Sequence, residues 1–416
     1  MHRDRRGNST LVLCSLYALL LAGLSPLRAA DPPAWPQFRG PTGQGIAEEA
    51  KPPLRWSETE NVTWKAPIPG KGWSSPVVMG NKIWMTTATE EGRSLRAIAV
   101  DLATGKLLHN VELFYYETPP FMQPKNSHAS PTPVLEEDRV YAHFGMQGTA
   151  ALNGDGEILW KNEELKYQHG NGSGGSPILW RDLLIISCDG YDVRYIVGLD
   201  KNDGTIRWKT TRRSGRMAFS TPLLISVEGR EQVVVTGGDA TSAYDPETGE
   251  ELWYVTYHGY SNVPRPLFGH GLVYIMTGFY EPELIALRPT GRGDLAPEHV
   301  VWRYDRGISL TPSPLLVGDE LYFVSDFGIA TCLDARTGEE RWRARLNGAF
   351  SASPVLADGR IYFQDENGRT TVIEPGVEFK KLAESEIDGQ TMASLAFVGP
   401  TVILRSATHL YRIEEQ

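Results

Sequence analysis

The sequence predicts an all-β fold, an eight-bladed β-propeller of four-stranded blades, on three observations. Seven times a Ser-Pro, Thr-Pro or Arg-Pro pair opens an apolar stretch: Ser75-Pro76, Thr132-Pro133, Ser176-Pro177, Thr221-Pro222, Arg265-Pro266, Ser313-Pro314 and Ser353-Pro354, with a degenerate eighth at Ser394-Leu395. Between the openings recurs an Asp-x-x-Thr-Gly-type turn leading to an aromatic, as from Asp200 to Trp208, Asp245 to Trp253 and Asp334 to Trp342, with Asn153 to Trp160 a close variant. Trp160, Trp208, Trp253, Trp302 and Trp342 then lie 48, 45, 49 and 40 residues apart, the repeat length of a four-stranded blade.

From the amino terminus, Arg3, Arg5 and Arg6 precede an apolar run from Leu11 to Leu24 and a small-residue exit at Ala29-Ala30. That order reads as an export signal over residues 1–30 and implies a periplasmic or secreted protein, with an uncleaved anchor as the alternative. The run is short for a membrane span, so no span is expected in the mature chain. Removing it takes away four Arg and one Asp, which moves the net charge from −10 to −13. So acidic a body is a poor general partner for nucleic acid or anionic lipid.

Residues 31–61 form an N-terminal extension, and one repeat then occupies 62–416, so the 416 residues make one large ring, expected to be monomeric, rather than several domains. The 42 Gly and 28 Pro suit many short strands joined by tight turns. Within a blade the Pro opens strand A, where a missing ladder hydrogen bond is tolerated, and the turn from strand C to D takes Asp for its local hydrogen bonds and Gly for positive φ. In the third blade the strands fall at Ser176–Trp180, Leu183–Cys188, Tyr195–Leu199 and Thr205–Thr210. The eighth has strands near Ser394, Val402 and Leu410 and then runs out of chain. Its outer strand is expected from Val62-Thr63-Trp64-Lys65, which closes the ring without a free edge; seven blades with a stray strand is the other count. Cys188 and Cys332 lie three blades apart, so no disulfide is expected between them.

At these residues the chain resembles the PQQ-like β-propeller repeat proteins, which include the assembly factor BamB and the quinoprotein alcohol dehydrogenases. The repeat Cys332-Leu333-Asp334-Ala335-Arg336-Thr337-Gly338-Glu339-Glu340-Arg341-Trp342 carries the likeness, and Trp35-Pro36-Gln37-Phe38-Arg39-Gly40-Pro41 is similar to a secreted, planctomycete-type branch. The resemblance implies an exported propeller and leaves activity open. Quinoprotein dehydrogenases cover the quinone with a disulfide of adjacent cysteines and hold calcium with clustered oxygens. No two cysteines are adjacent here and no Cys-x-x-Cys-His haem motif occurs, so no cofactor is expected and bound PQQ is the alternative.

Loops entering strand A and loops joining B to C share one face of such a ring, here called the mouth face. Asn126 and His128, His169 and Asn171, Arg216, then Tyr260, Asn262 and Arg265 precede strand A in four consecutive blades, while the sixth and seventh offer the plainer Ser309-Leu310-Thr311 and Phe350-Ser351-Ala352. His143, Asp189 and Asp326 come from B-to-C loops. This asymmetry nominates a ligand site at the mouth of blades 2–5. His128, His143 and His169 are its candidate acid–base residues, and Asn126, Asn171, Asp189, Arg216, Tyr260, Asn262, Arg265 and Asp326 its candidate binding residues. No short spacing of ligand types supports a metal. The expected ligand is a carbohydrate, another anionic molecule or a protein partner. An enzyme acting on a sugar acid or polysaccharide, a BamB-like assembly scaffold and a PQQ-dependent dehydrogenase are the alternatives. Gly291-Arg292-Gly293-Asp294 falls in a C-to-D loop on the opposite face, and His169-Gly170-Asn171-Gly172 leads into a strand, so neither reads as a phosphate or partner motif.

Overall fold

The computed structural model describes residues 34–416. Eight sheets, each with four antiparallel strands at its centre, form the ring, and the export-signal reading lies outside the described residues. Blade 3 consists of Ile178–Trp180, Leu183–Asp189, Arg194–Asp200 and Ile206–Thr211, within one or two residues of the sequence expectation. Each blade places strand A innermost and strand D outermost. Strands B and C are buried almost throughout, as in Leu183–Asp189, while strand D alternates half-buried and exposed residues, as in Ile206–Thr211, because one of its faces meets a neighbour.

Closure follows the expected route. Val62–Pro67 pairs antiparallel with His409–Ile413, so the first strand of the ring completes the last blade. The edge of His409–Ile413 is thereby covered, and blade 8 gains the same four-stranded form as its neighbours.

The recurrent tryptophans explain the recurrent turns. Trp64, Trp160, Trp208, Trp302 and Trp342 each donate their indole N–H to a carbonyl in the next blade, at Leu102, Lys201, Pro246, Ala335 and Gly376, over 2.9–3.2 Å. The turn glycine lies against the ring: a Cβ on Gly338, at φ +74, would come within 2.7 Å of Trp302. Gly is therefore demanded twice, by backbone conformation and by the indole. Trp253 departs from the pattern. Gly293–Asp294 adds a fifth strand outside it, parallel to Glu251–Thr256, and its N–H turns instead to Gln232 Oε1 at 2.7 Å. The Gly-Arg-Gly-Asp stretch is thus partly a strand on blade 4.

The extension before Val62 enters the ring itself. Trp35 exchanges backbone hydrogen bonds with Val78 in strand A of blade 1, and Pro36 accepts from Leu135 in blade 2. Ile46–Ala47 then pairs parallel with Leu356 and Ala357, on the inner side of blade 7. Residues 35–47 therefore form a plug across the channel. Trp35 and Arg39 rank among the largest fully buried side chains of the protein. Burial of an indole and its truncation to Ala are worth about 3–5 kcal/mol, so Trp35→Ala should lower stability by that amount in a denaturant titration.

Candidate functional site

The Ser/Thr-Pro openings build a circular belt around the axis. The backbone N–H of Ser75 donates to Thr132 Oγ1, that of Thr132 to Ser176 Oγ and that of Ser176 to Thr221 Oγ1, at 2.9–3.0 Å. Across the ring Arg265 donates to Ser313, Ser313 to Ser353, Ser353 to Ser394 and Ser394 to Ser75, at 2.9–3.2 Å. Seven of eight links are made; the eighth would need a hydroxyl at residue 265, where Arg stands. Each hydroxyl oxygen already accepts a backbone N–H, so its own O–H is left to donate inward.

All seven belt hydroxyls line one cavity of about 280 Å³ on the mouth side, with Phe38 of the plug, Trp73, Phe219, Phe279 and Met392 supplying apolar surface. Because the plug fills the channel beneath it, the cavity is a cup. A strap from the blade 1–2 loop crosses its lip. Asn126 Nδ2 donates to Asn171 O and Ser173 O, Gln123 N to Asn171 O, and Lys125 pairs with Glu366 of blade 7 at 2.7 Å. Trp73 Nε1 donates to Lys125 O at 3.2 Å, tying the strap to the cup wall.

The candidate residues named from sequence do not form one constellation. Asn126 and Asn171 line the cup. Arg216 and Tyr260 lie in a separate cleft further out, with His258, Tyr280 and Glu281; there Arg216 donates to Gly259 O at 2.9 Å and Tyr260 packs 5.6 Å from Tyr280. Tyr280 and Glu281 hold consecutive left-handed φ of 63° and 56°, so the cleft carries local backbone strain. His128 is half-buried against Gly92, outside both. Asp326 caps the plain blade 6 loop, its Oδ2 accepting from Leu310 N at 2.7 Å. Asn262 is fully buried and donates to Gly237 O at 2.7 Å and Tyr257 OH at 3.2 Å. Arg265 is the clearest correction. Its loop-end position suggests a free guanidinium, but the side chain is buried and donates from Nη1 to Phe38 O at 2.9 Å and Gly43 O at 3.1 Å, holding the plug.

The expected asymmetry also changes character, since blades 6 and 7 contribute Thr311, Ser313, Ser351 and Ser353 to the cup. Sequence reasoning missed Phe38, Trp73, Phe219 and the belt hydroxyls. The Pro pairs do carry the signal for the belt, but they read as strand openings and hide the placement of their Ser and Thr residues on the cavity wall.

His143, His169 and Asp189 are all buried in the interior behind the cup wall, with no hydrogen bond joining the three among the described residues. His143 Nδ1 meets Thr149 Oγ1 at 2.8 Å, and its Nε2 meets Tyr167 OH at 3.4 Å. His169, Ser173 and Asp189 border a space of about 10 Å³, on the scale of one water, which shares Gly174 and Phe219 with the cup. Burial pushes the His143 imidazole down to about 3 and that of His169 to about 4, the neighbouring histidines adding to it. Both stay neutral in the folded protein at pH values where the unfolded chain takes up protons, below about 6.5. Their contribution to stability is therefore lost progressively as pH falls from about 6.5 toward 4. Equilibrium unfolding of His143→Gln against the parent should show a flatter acid limb; an unchanged limb would remove the buried His143 imidazole from the account.

Among the described residues no group of three or more His, Cys, Asp or Glu is placed to hold a metal, and no helix is long and apolar enough to cross a membrane. Cys188 and Cys332 are free and buried. No carboxylate lines the cup, so the clustered acidic oxygens that a calcium-held quinone requires are missing from it, as is a pair of adjacent cysteines.

Ring, belt and docked tryptophans together define a PQQ-like β-propeller. The chain belongs to the family described as outer membrane protein assembly factor BamB, whose model matches residues 54–190, 192–294 and 292–377. No curated protein matches it. Among solved structures it is similar to BamB from Moraxella catarrhalis, with 13% identity and a TM-score of 0.60, over 85% of this chain and 99% of that one. A europium-containing methanol dehydrogenase is similar at 11% identity and TM-score 0.63, over 91% of each chain. A quinohemoprotein alcohol dehydrogenase from Pseudomonas putida HK5 is similar at 10% identity and TM-score 0.63, over 92% and 80%. At such identities the likeness is one of fold.

Proposed function

We propose that this is an exported binding propeller whose plugged channel takes an anionic, acceptor-rich ligand, with a sugar acid as the leading class. The observation that carries this reading is the belt, seven O–H donors converging on a cup without a carboxylate. Arg265 and Arg405, both buried and both bonded only to neutral oxygens, add positive potential from the wall and from under the floor. Trp73, Phe38 and Phe219 offer the flat apolar surface on which a sugar ring stacks. The leader-like residues 1–30 support export to the periplasm or beyond.

General acid–base chemistry finds little support in the cup, because His143 and His169 sit behind its wall and Lys125 is the one ionisable residue lining it. Binding without turnover is the better reading. A protein partner is the second, favoured by one feature: Phe121, Tyr191, Tyr280 and Phe327, from 59% to 77% exposed, all lie on loops of the mouth face. Aromatics displayed in this way suit a protein interface.

Thermal-shift screening with sugar acids, followed by calorimetry, tests the cup. Thr132→Val removes one hydroxyl at nearly constant shape and should weaken the ligand about five-fold, the loss of one hydrogen bond. Trp73→Ala should weaken it at least as much. Arg292→Ala, on the far face and paired only with Glu250, should change nothing. A ligand indifferent to the first two and sensitive to Arg216→Ala would move the site to the outer cleft.

A further inference from the structure

Two cations meet at the plug, Arg39 within it and Arg265 from blade 5, with no counter-charge. Arg39 and Arg265 are 1% and 2% exposed, and both guanidinium groups face the loop from Phe38 to Gly45. Arg39 Nη2 donates to Gln44 O at 2.8 Å, while Arg265 Nη1 takes the carbonyls of Phe38 and Gly43. Arg39 Nε and Nη1 and Arg265 Nε have no partner. Burial lowers both guanidinium groups to about 9, and Arg39 is lowered further by the charge of Arg265, so both stay charged at neutral pH. No acidic side chain enters either balance. An acidic protein of net charge −10 has thus buried two cations against one loop without a carboxylate paired to either.

An unpaired buried charge is strongly unfavourable, and two of like sign more so. We propose that Arg39 and Arg265 clasp a small inorganic anion, chloride in the first instance, which neutralises the pair and seats the plug. The three unpartnered N–H groups are its donors. Size follows from the loop. A Cβ on Gly43 would fall within 2.2 Å of Arg265 Nη1, and one on Gly45 within 2.5 Å of Arg39 Nη2. Backbone packed so close to both groups excludes an anion as large as phosphate. The ion would act at a distance on the cup, because the same loop carries Phe38, its floor. This holds whatever ligand the cup takes.

The test uses the unmodified protein first. Crystals grown with bromide in place of chloride should give an anomalous peak within contact of both guanidinium groups. At constant ionic strength, replacing gluconate by chloride should raise the melting midpoint saturably, by a few degrees once chloride exceeds its Kd about a hundred-fold. Arg39→Met should abolish the chloride dependence while leaving a folded ring. Equal melting in both salts with no peak between the arginines overturns the proposal. A bromide peak without saturable stabilisation marks an adventitious ion only, and overturns it equally.

Discussion

Deleting residues 34–67 should leave no soluble monomeric ring. Two losses coincide in that deletion. The first is Val62–Pro67, whose removal bares the whole edge of His409–Ile413, with Tyr411 and Leu410 behind it. A bare edge next to an apolar core invites pairing between molecules. The second is the plug, which carries Trp35, Arg39 and the Ile46–Ala47 strand into the channel and packs with Trp56 against blades 1, 7 and 8. A shorter deletion, of residues 34–56, separates them. It spares the closing strand, so the protein should stay monomeric by size exclusion and melt cooperatively, at a clearly lower temperature, with the belt opened to solvent from both ends. Equal melting temperatures for the short deletion and the parent would mean that the plug is passive filling; a monomeric, stable long deletion would contradict the closure itself.

Much of this architecture was legible because propeller signals are local. A Pro at the start of strand A, an Asp and a Gly in a turn and a Trp eight residues on each act within one blade, and the repeat multiplies them. The closing strand was legible for the same reason, since Trp64 repeats the strand D pattern at the wrong end of the chain. The site was not, because its residues are set by register across blades. Whether Arg265 faces solvent or the plug depends on residues 38–45, more than 200 positions earlier, which read from sequence as a family marker and not as a channel filling. His143 and His169 show the same limit: polar residues beside mouth-face loops can turn inward when a buried Tyr167 or Thr149 receives them.

The largest electrostatic effect of a single substitution is expected at Asp189. Its carboxylate pairs with Arg212, both side chains at or below 2% exposure, and Arg212 also donates to Val235 O at 2.9 Å, so the pair ties blade 3 to blade 4. Asp189→Ala leaves a guanidinium buried without its counter-ion and should cost about 3–5 kcal/mol in denaturant titration. The double variant Asp189→Ala with Arg212→Ala should lose less than the sum of the singles, since the second change removes the stranded charge. The pH dependence sharpens the claim. Burial pushes the Asp189 carboxyl up to about 6 despite Arg212 beside it. A carboxyl raised in the folded state takes up its proton there first, so between about pH 6 and 4 acidification favours the folded protein at this residue. That gain opposes the loss from His143 and His169 over the same interval. Asp189→Asn removes the opposing term and should therefore make stability fall more steeply from pH 6 to 4 than in the parent. Parallel pH profiles for the two proteins would show that Asp189 titrates as an ordinary carboxylate and that the pair is held charged well below pH 6.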